Sequence, residues 1–150
     1  MSCGTVYGNV PGTVNPSIVH TRMQCCSPLF AGTWPFYDWG IGKEASIEIG
    51  ALTNELGLNH WSLVFGIIPW LRECHRAGLL KDLDGTPVDF HSPGFWHALL
   101  KGIAYRQGIG DKLAEDGPRA AEKLGIGRDI AATFYPAYGF GGHWDGHGDK

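Results

Sequence analysis

The sequence predicts a mainly α-helical domain with loop-rich ends, and three observations predict it. Apolar residues recur at steps of three and four between residues 43 and 125, no segment shows sustained apolar/polar alternation, and turn residues gather outside that stretch. The 23 Gly and 9 Pro cluster in residues 4–45 and 136–148. The chain therefore divides into a loop-rich segment at 1–42, a helical core at 43–125, and a tail at 126–150 rich in Gly, His and aromatic residues. At 150 residues, 43% hydrophobic and 18% charged, it is long enough for one sizeable core.

Residues 1–42 read as turns, with Tyr-Gly-Asn-Val-Pro-Gly at 7–12, Asn-Pro-Ser at 15–17 and Trp-Gly-Ile-Gly at 39–42, and a short strand at 18–23 is the one extended candidate. A first helix begins at Lys43, with Ile47, Ala51, Leu52 and Leu56 as its apolar stripe and Gly57 as a left-handed stop. The next is expected to start at Ser62 with its hydroxyl as cap, and to carry Val64, Ile67 or Ile68, Leu71, and Cys74 or His75 toward Gly78. Pro69 lies inside it. Proline removes a backbone donor and crowds the preceding turn, so a kink is expected near Phe65–Trp70.

Ser92-Pro93 opens a third helix, a capping hydroxyl followed by proline where its missing N–H is not needed. Its apolar face is Phe95, Leu99, Leu100 and Ile103, and it runs to Arg106 or Gln107. Gly108-Ile-Gly-Asp111 breaks it and caps the following stripe of Leu113, Ala114, Ala121 and Leu124, which Gly117-Pro118 divides into two pieces and Gly125 closes.

Several function classes drop out. A formal net charge of −3 without a basic run offers no electrostatic footprint for nucleic acid or an anionic membrane. The longest apolar run, Leu63 to Leu71, is about half the length that spans a bilayer, and the start has neither a basic region nor a long apolar stretch. A soluble cytoplasmic protein is the default expectation. Cys3, Cys25, Cys26 and Cys74 lack regular spacing and read as reduced thiols, with Cys74 in the core. No dinucleotide fingerprint, Walker loop, zinc-protease helix or nucleophile elbow is present. Gly108-Ile-Gly follows a helix and reads as a helix–helix turn.

Three places could carry chemistry. Glu48 stands between Ile47 and Ile49 on a helix of low polarity, where desolvation would suit its carboxylate to proton transfer; a solvated helix face is the other reading. His60 follows the Gly57 turn and precedes a helix start, where unpaired amides favour an anion. His143, Asp145, His147 and Asp149 gather two imidazoles and two carboxylates between glycines, a set able to chelate zinc or iron but without a helix or strand to hold it.

Taken as a set, these residues resemble the aldehyde ferredoxin oxidoreductase family. Asn54-Glu55-Leu56-Gly57-Leu58-Asn59 is similar to that family's pterin motif, Asp-x-x-Gly-Leu-Asp/Cys, with Asn at both acidic positions. Cys74-His-Arg-Ala-Gly-Leu-Leu80 resembles the segment that follows it, and Gly102-Ile-Ala-Tyr-Arg-Gln-Gly-Ile-Gly-Asp-Lys-Leu-Ala-Glu115 with Arg119-Ala-Ala-Glu-Lys-Leu-Gly125 resembles a later helix pair most specifically. The similarity runs over roughly residues 1–125 and corresponds to part of the family's helical middle domain.

The resemblance implies a tungsten bis-pyranopterin cofactor and one [4Fe-4S] cluster in an intact parent, which would oxidise an aldehyde, or act on a carboxylic acid derivative, and exchange electrons with ferredoxin. It assigns Asn54, Gly57, Leu58, Asn59 and His60 to the cofactor and Glu48 to proton transfer near tungsten. His143, or less directly His147, would be the catalytic histidine. Met1-Ser2-Cys3-Gly4 resembles the close of the cluster motif, so Cys3 would be a cluster ligand and the chain a fragment, completed by the remaining domains of the parent and inactive alone. Asp only accepts hydrogen bonds whereas Asn also donates, so the two Asn positions would meet a pterin edge differently. The rival expectation is a cofactor-free helical scaffold or binding module descended from such an enzyme, and a third is a metalloprotein built on the tail.

Overall fold

A computed structural model describes residues 5–11, 18–24 and 40–134. The fold is mainly helical, as expected. Strands β1 (Thr5–Pro11) and β2 (Ile18–Gln24) pair antiparallel from Thr5 opposite Gln24 to Pro11 opposite Ile18, and the ribbon packs on helix α1 (Lys43–Glu55). The strand foreseen at 18–23 is thus half of a hairpin whose other strand carries the Tyr-Gly-Asn-Val-Pro turn signals. Pro11 is tolerated there because it sits at a strand end.

Helix α1 meets the ribbon on one side and α4 (Pro93–Ala104) on another. Burial therefore wraps around it instead of following one stripe. Ala45, Ser46, Glu48, Ile49, Ala51 and Thr53 are buried, whereas Ile47, Leu52 and Leu56 of the expected stripe are half-buried. The two buried hydroxyls stay satisfied by bonding one turn back, Ser46 Oγ to the Gly42 carbonyl and Thr53 Oγ1 to the Ile49 carbonyl, both at 2.8 Å.

The second helical stretch starts at His60, two residues before the expected Ser62. Asn59, not Ser62, supplies the cap, its Oδ1 accepting from Ser62 N at 3.3 Å. The stretch consists of α2 (His60–Ser62), a π turn (Leu63–Ile67) and α3 (Ile68–Arg76). The kink expected near Pro69 takes the form of this wide turn, in which Ile68 N reaches back five residues to the Leu63 carbonyl. Pro69 then falls in the first turn of α3, where its missing donor is harmless.

After α3, strands β3 (Asp82–Leu83) and β4 (Thr86–Pro87) form a minimal hairpin. Its Asp84-Gly85 turn has both residues at positive φ, 51° and 88°, as a two-residue primed turn requires. Ser92 caps α4 through Phe95 N at 3.4 Å. Phe95, Trp96, Leu99, Leu100 and Ile103 of α4 fill the core, with Phe90, Phe95 and Trp96 edge to face. The helix stops at Ala104, short of Arg106, because Arg106 takes a left-handed φ of 52° and Gln107 N returns to the Gly102 carbonyl.

Two short helices follow as expected, α5 (Ile109–Leu113) and α6 (Gly117–Leu124), the second closed by left-handed Gly125. Helical structure then continues beyond residue 125. Helix α7 (Arg128–Phe134) packs on α3 and α6, and its Ala131 is buried. Trp70 Nε1 donates to the Gly127 carbonyl at 2.9 Å, tying α3 to the start of α7. No described helix is long and apolar enough to cross a membrane.

Helices α4 and α5 cross at bare backbone. A Cβ on Gly110 would lie 2.2 Å from Gly102 C and 2.8 Å from Ile103 N, backbone atoms that cannot move independently. Gly110→Ala is expected to destabilise the chain by about 1–3 kcal/mol, the usual penalty for overpacking, read as a lower urea midpoint at unchanged slope. An unchanged midpoint would show that the crossing opens freely.

Candidate functional site

The turn between α1 and α2 is built from two complementary helix ends. At the first, Leu58 N donates to the Thr53 carbonyl (3.1 Å) and Gly57 N to the Asn54 carbonyl (3.0 Å), with Gly57 at φ 64°. This paired closure satisfies the last carbonyls of α1 and needs a residue at ease in the left-handed region. At the second, the Asn59 carbonyl accepts from Leu63 N (3.1 Å) while its side chain accepts from Ser62 N. Asn54, Gly57 and Asn59 are exposed, Leu58 and His60 half-buried, and nothing lies within 4 Å of where a Gly57 Cβ would stand. The five residues that the sequence analysis grouped thus do share one turn. His60 is turned inward onto α1. Burial holds its imidazole below the ordinary histidine range, opposed by a hydrogen bond to the Gly50 carbonyl, so at neutral pH the ring is uncharged.

Glu48 lies elsewhere. It is six residues back from Asn54, which on a 1.5 Å rise is about 9 Å along the helix axis. Its side chain is 4% exposed, and Oε1 lies 2.8 Å from His97 Nε2 on α4, itself 14% exposed. The oxygen is within ion-pair distance but off the ring N–H direction, so Nε2 makes no aligned hydrogen bond. A buried carboxylate facing a half-buried imidazole rules out the reading of Glu48 on a solvated face. No local signal announced His97, because its partner is far away in the chain.

The two groups are also two of the donors that a divalent cation would need. Among the described residues, no group of three or more His, Cys, Asp or Glu is arranged to hold one. Cys74 is fully buried, as expected of a core cysteine, and burial together with the negative charges of Asp129 and Glu73 pushes its thiol up to about 11. A thiol held protonated in this way is the reverse of a metal ligand. Cys3, His143, His147 and the tail carboxylates lie outside the described residues.

One residue was overlooked in the sequence. Asp116, just before Gly117-Pro118, is the N-cap of α6 with Oδ1 accepting from Gly117 N at 2.8 Å. Its φ of 82° and ψ of 160° fall in a region almost confined to glycine. It stands at the edge of an open cavity of about 140 Å³ lined by Leu58, Asn59 and Ser62 on one side and Ile103, Leu113 and Ala114 on the other. The cavity therefore abuts the α1–α2 turn from within the bundle. A larger groove of about 310 Å³ lies beyond Leu113, between α4 and the β3–β4 hairpin.

Most of the chain is similar to known proteins. The family described as aldehyde ferredoxin oxidoreductase, domains 2 & 3, matches residues 40–135. A tungsten-containing aldehyde ferredoxin oxidoreductase of Pyrococcus furiosus is 33% identical over 91% of this chain and 23% of its own length. The corresponding proteins of Pyrococcus horikoshii and Pyrococcus abyssi are 36% and 35% identical over 75% of this chain and 19% of their own lengths. The chain thus spans less than a quarter of the curated relatives it matches. No solved structure matches it.

The buried pair and the strained cap each make an expected outcome. Removing His97 takes one partner from a buried carboxylate, so His97→Ala is expected to destabilise by about 1–3 kcal/mol, and Glu48→Leu/His97→Ala by less than that single change. Urea denaturation of the four proteins of this cycle measures the coupling, and additive effects would dissolve the pair. Asp116→Gly relieves a backbone strain of about 1–3 kcal/mol while losing only a few tenths of capping. It should raise the urea midpoint, and a lowered midpoint would show the backbone to be relaxed there.

Proposed function

The chain belongs to the aldehyde ferredoxin oxidoreductase family, and from that premise we propose that it forms the helical portion of a tungsten oxidoreductase that seats the pterin cofactor. In this reading the whole enzyme acts on an aldehyde or carboxylic acid derivative and passes electrons to a ferredoxin-type partner, with the rest of the active site supplied by the parent's other domains. One observation carries it: Asn54, Gly57 and Asn59 lie exposed together on the single bend between two helix ends, with open space at Gly57.

The residues suit a flat, hydrogen-bonding ligand. Primary amides at Asn54 and Asn59 both donate and accept, and the missing Cβ of Gly57 lets a planar group approach the backbone. The fit is looser than the family pattern at Asn59, whose Oδ1 is engaged in capping. When bound, such a cofactor would supply the two-electron redox chemistry at the substrate carbon. This chain's part is to position and desolvate. Leu58 and His60 brace the bend against the core, and the neutral His60 ring joins it to α1. A cluster ligand is not offered by the buried Cys74 thiol, so the reading places any iron–sulfur ligation outside the described residues.

Glu48 takes a different part from the proton shuttle expected of it. Its engagement with His97 and its distance from the bend support a buried tie between α1 and α4. A second reading, a scaffold that has lost its cofactor, draws support from the two Asn positions and from the capping use of Asn59.

The test is metal content in the intact enzyme that contains this chain. Loss of one amide hydrogen bond, about 1 kcal/mol, weakens cofactor retention roughly fivefold. Asn54→Ala is therefore expected to lower tungsten per subunit, measured by inductively coupled plasma mass spectrometry after dialysis, with the thermal melt of the stripped protein unchanged. Tungsten content equal to that of the wild type would overturn the assignment of the bend, and wild-type protein without tungsten would favour the scaffold.

A further inference from the structure

Strands β3 and β4 have two residues each, too few to stand as a hairpin by themselves in water. The contacts that hold them are gathered at two points, a fixed base and a single bond at the tip. We propose that residues 81–88 form a strap, latched by the Asp84 carboxylate to the turn between α4 and α5, that lifts as one piece to open the groove over the α4–α5 crossing while the helical core stays folded. Such a strap works in the same way whether or not the α1–α2 bend holds a cofactor.

The latch is one hydrogen bond. Asp84 Oδ2 accepts from Ile109 N at 2.7 Å, joining residues 25 apart in the chain. The carboxylate rests where only glycine leaves room, since a Cβ on Gly108 would strike that same oxygen. Asp84 is nevertheless exposed, so the bond is made at the solvent edge, where water can replace either partner and the net cost of parting them is small.

Behind the latch the hairpin bridges a space instead of filling one. Asp82, Asp84, Gly85 and Pro87 are exposed, and Leu83 is the buried side chain of the two strands. Beneath them lies the groove of about 310 Å³, floored by Ala98, Leu99 and Gly102 of α4 and by Ile109, Gly110 and Leu113 of α5. Lifting the strap gives up the latch and the burial of Leu83 but breaks no contact between helices.

The base makes the strap a unit. Val88 is buried and its N–H donates to the Lys81 carbonyl at 3.0 Å, closing the two arms on each other. Beyond it the chain is pinned by Asp89, whose carbonyl accepts from Ser92 N (3.0 Å) and whose Oδ1 accepts from His91 N (2.9 Å). Before it, Leu79 N returns to the Cys74 carbonyl (2.9 Å) at the end of α3. A firm base with one exposed bond at the tip is the arrangement from which a segment opens below the free energy of global unfolding.

Amide hydrogen exchange of the ¹⁵N-labelled 150-residue chain, followed by NMR in low urea, is the test. Ile109 is expected to exchange through an opening that exposes little surface and so responds weakly to urea, with protection at least about tenfold below that of Val88. Leu100 in α4 should show the full urea dependence of global unfolding. Asp84→Asn keeps an acceptor and a residue at ease in the left-handed φ of 51°, but removes the charge. It should speed Ile109 exchange about tenfold, the difference between a charged and a neutral hydrogen bond, with the weak urea response retained. An Ile109 rate unchanged by the substitution would overturn the latch. Equal protection of Ile109 and Val88 in the wild type would mean that the hairpin melts instead of lifting, and an Ile109 urea response matching that of Leu100 would mean that no separate opening exists. Either wild-type result overturns the proposal even if Asp84→Asn fails to fold.

Discussion

Two buried indoles hold this molecule together. Trp70 and Trp96 are wholly buried, and each directs its N–H to a backbone carbonyl outside its own helix, Trp70 to Gly127 and Trp96 to Phe90. A large aromatic ring contributes much of the apolar burial in a small core, but its one donor must find an acceptor there or forfeit that gain. The two acceptors lie on loops, so the loops are fixed by the rings. Gly127 has no room for a side chain, since a Cβ there would press on Cys74 Sγ and Trp70 Nε1. The path of the chain into α7 follows from that contact, and so does the burial that keeps Cys74 protonated.

Helix ends were the most legible part of the sequence. Gly57, Gly78 and Gly125 stand left-handed after their helices, and Ser92 caps α4, because these are local chemistries that few residue types satisfy. Errors appeared where a competing local solution existed. Asn59 outcompeted Ser62 as a cap, and Arg106 ended α4 early by taking a conformation usually left to glycine, held by ion pairs to Asp111 and Glu115. Asp84-Gly85 is a turn signal in the sequence, but the strands it joins are only two residues long and offer no alternation to read. The stripe assigned to α1 was misjudged for a different reason: a helix covered on two sides has no single apolar face to read.

The candidate site divides the same way. The bend from Asn54 to His60 is contiguous in sequence and was visible there. Glu48 drew notice for its apolar neighbours, yet its partner His97 lies on another helix, a pairing that no local pattern encodes. Asp116 was hidden by the adjacent Gly-Pro, which reads as a break and conceals the carboxylate in front of it. The bend and the cavity behind it share Leu58 and Asn59, so whatever settles on one side is felt through one layer of side chains on the other.

The wide turn at Leu63–Ile67 sets the angular phase of everything after it. A π turn amounts to one residue more than the helix needs, and one residue of α-helix is about 100° of rotation. The surface of α3 that meets α7 is thereby swung relative to the surface of α2 that faces the bend, which lets one nearly continuous rod serve two differently oriented neighbours. Shortening the rod by a residue would regularise its hydrogen bonds and point Trp70 and Cys74 away from Gly127. The irregularity is thus a form of gearing, converting the position of the α1–α2 bend into the position of the last described helix.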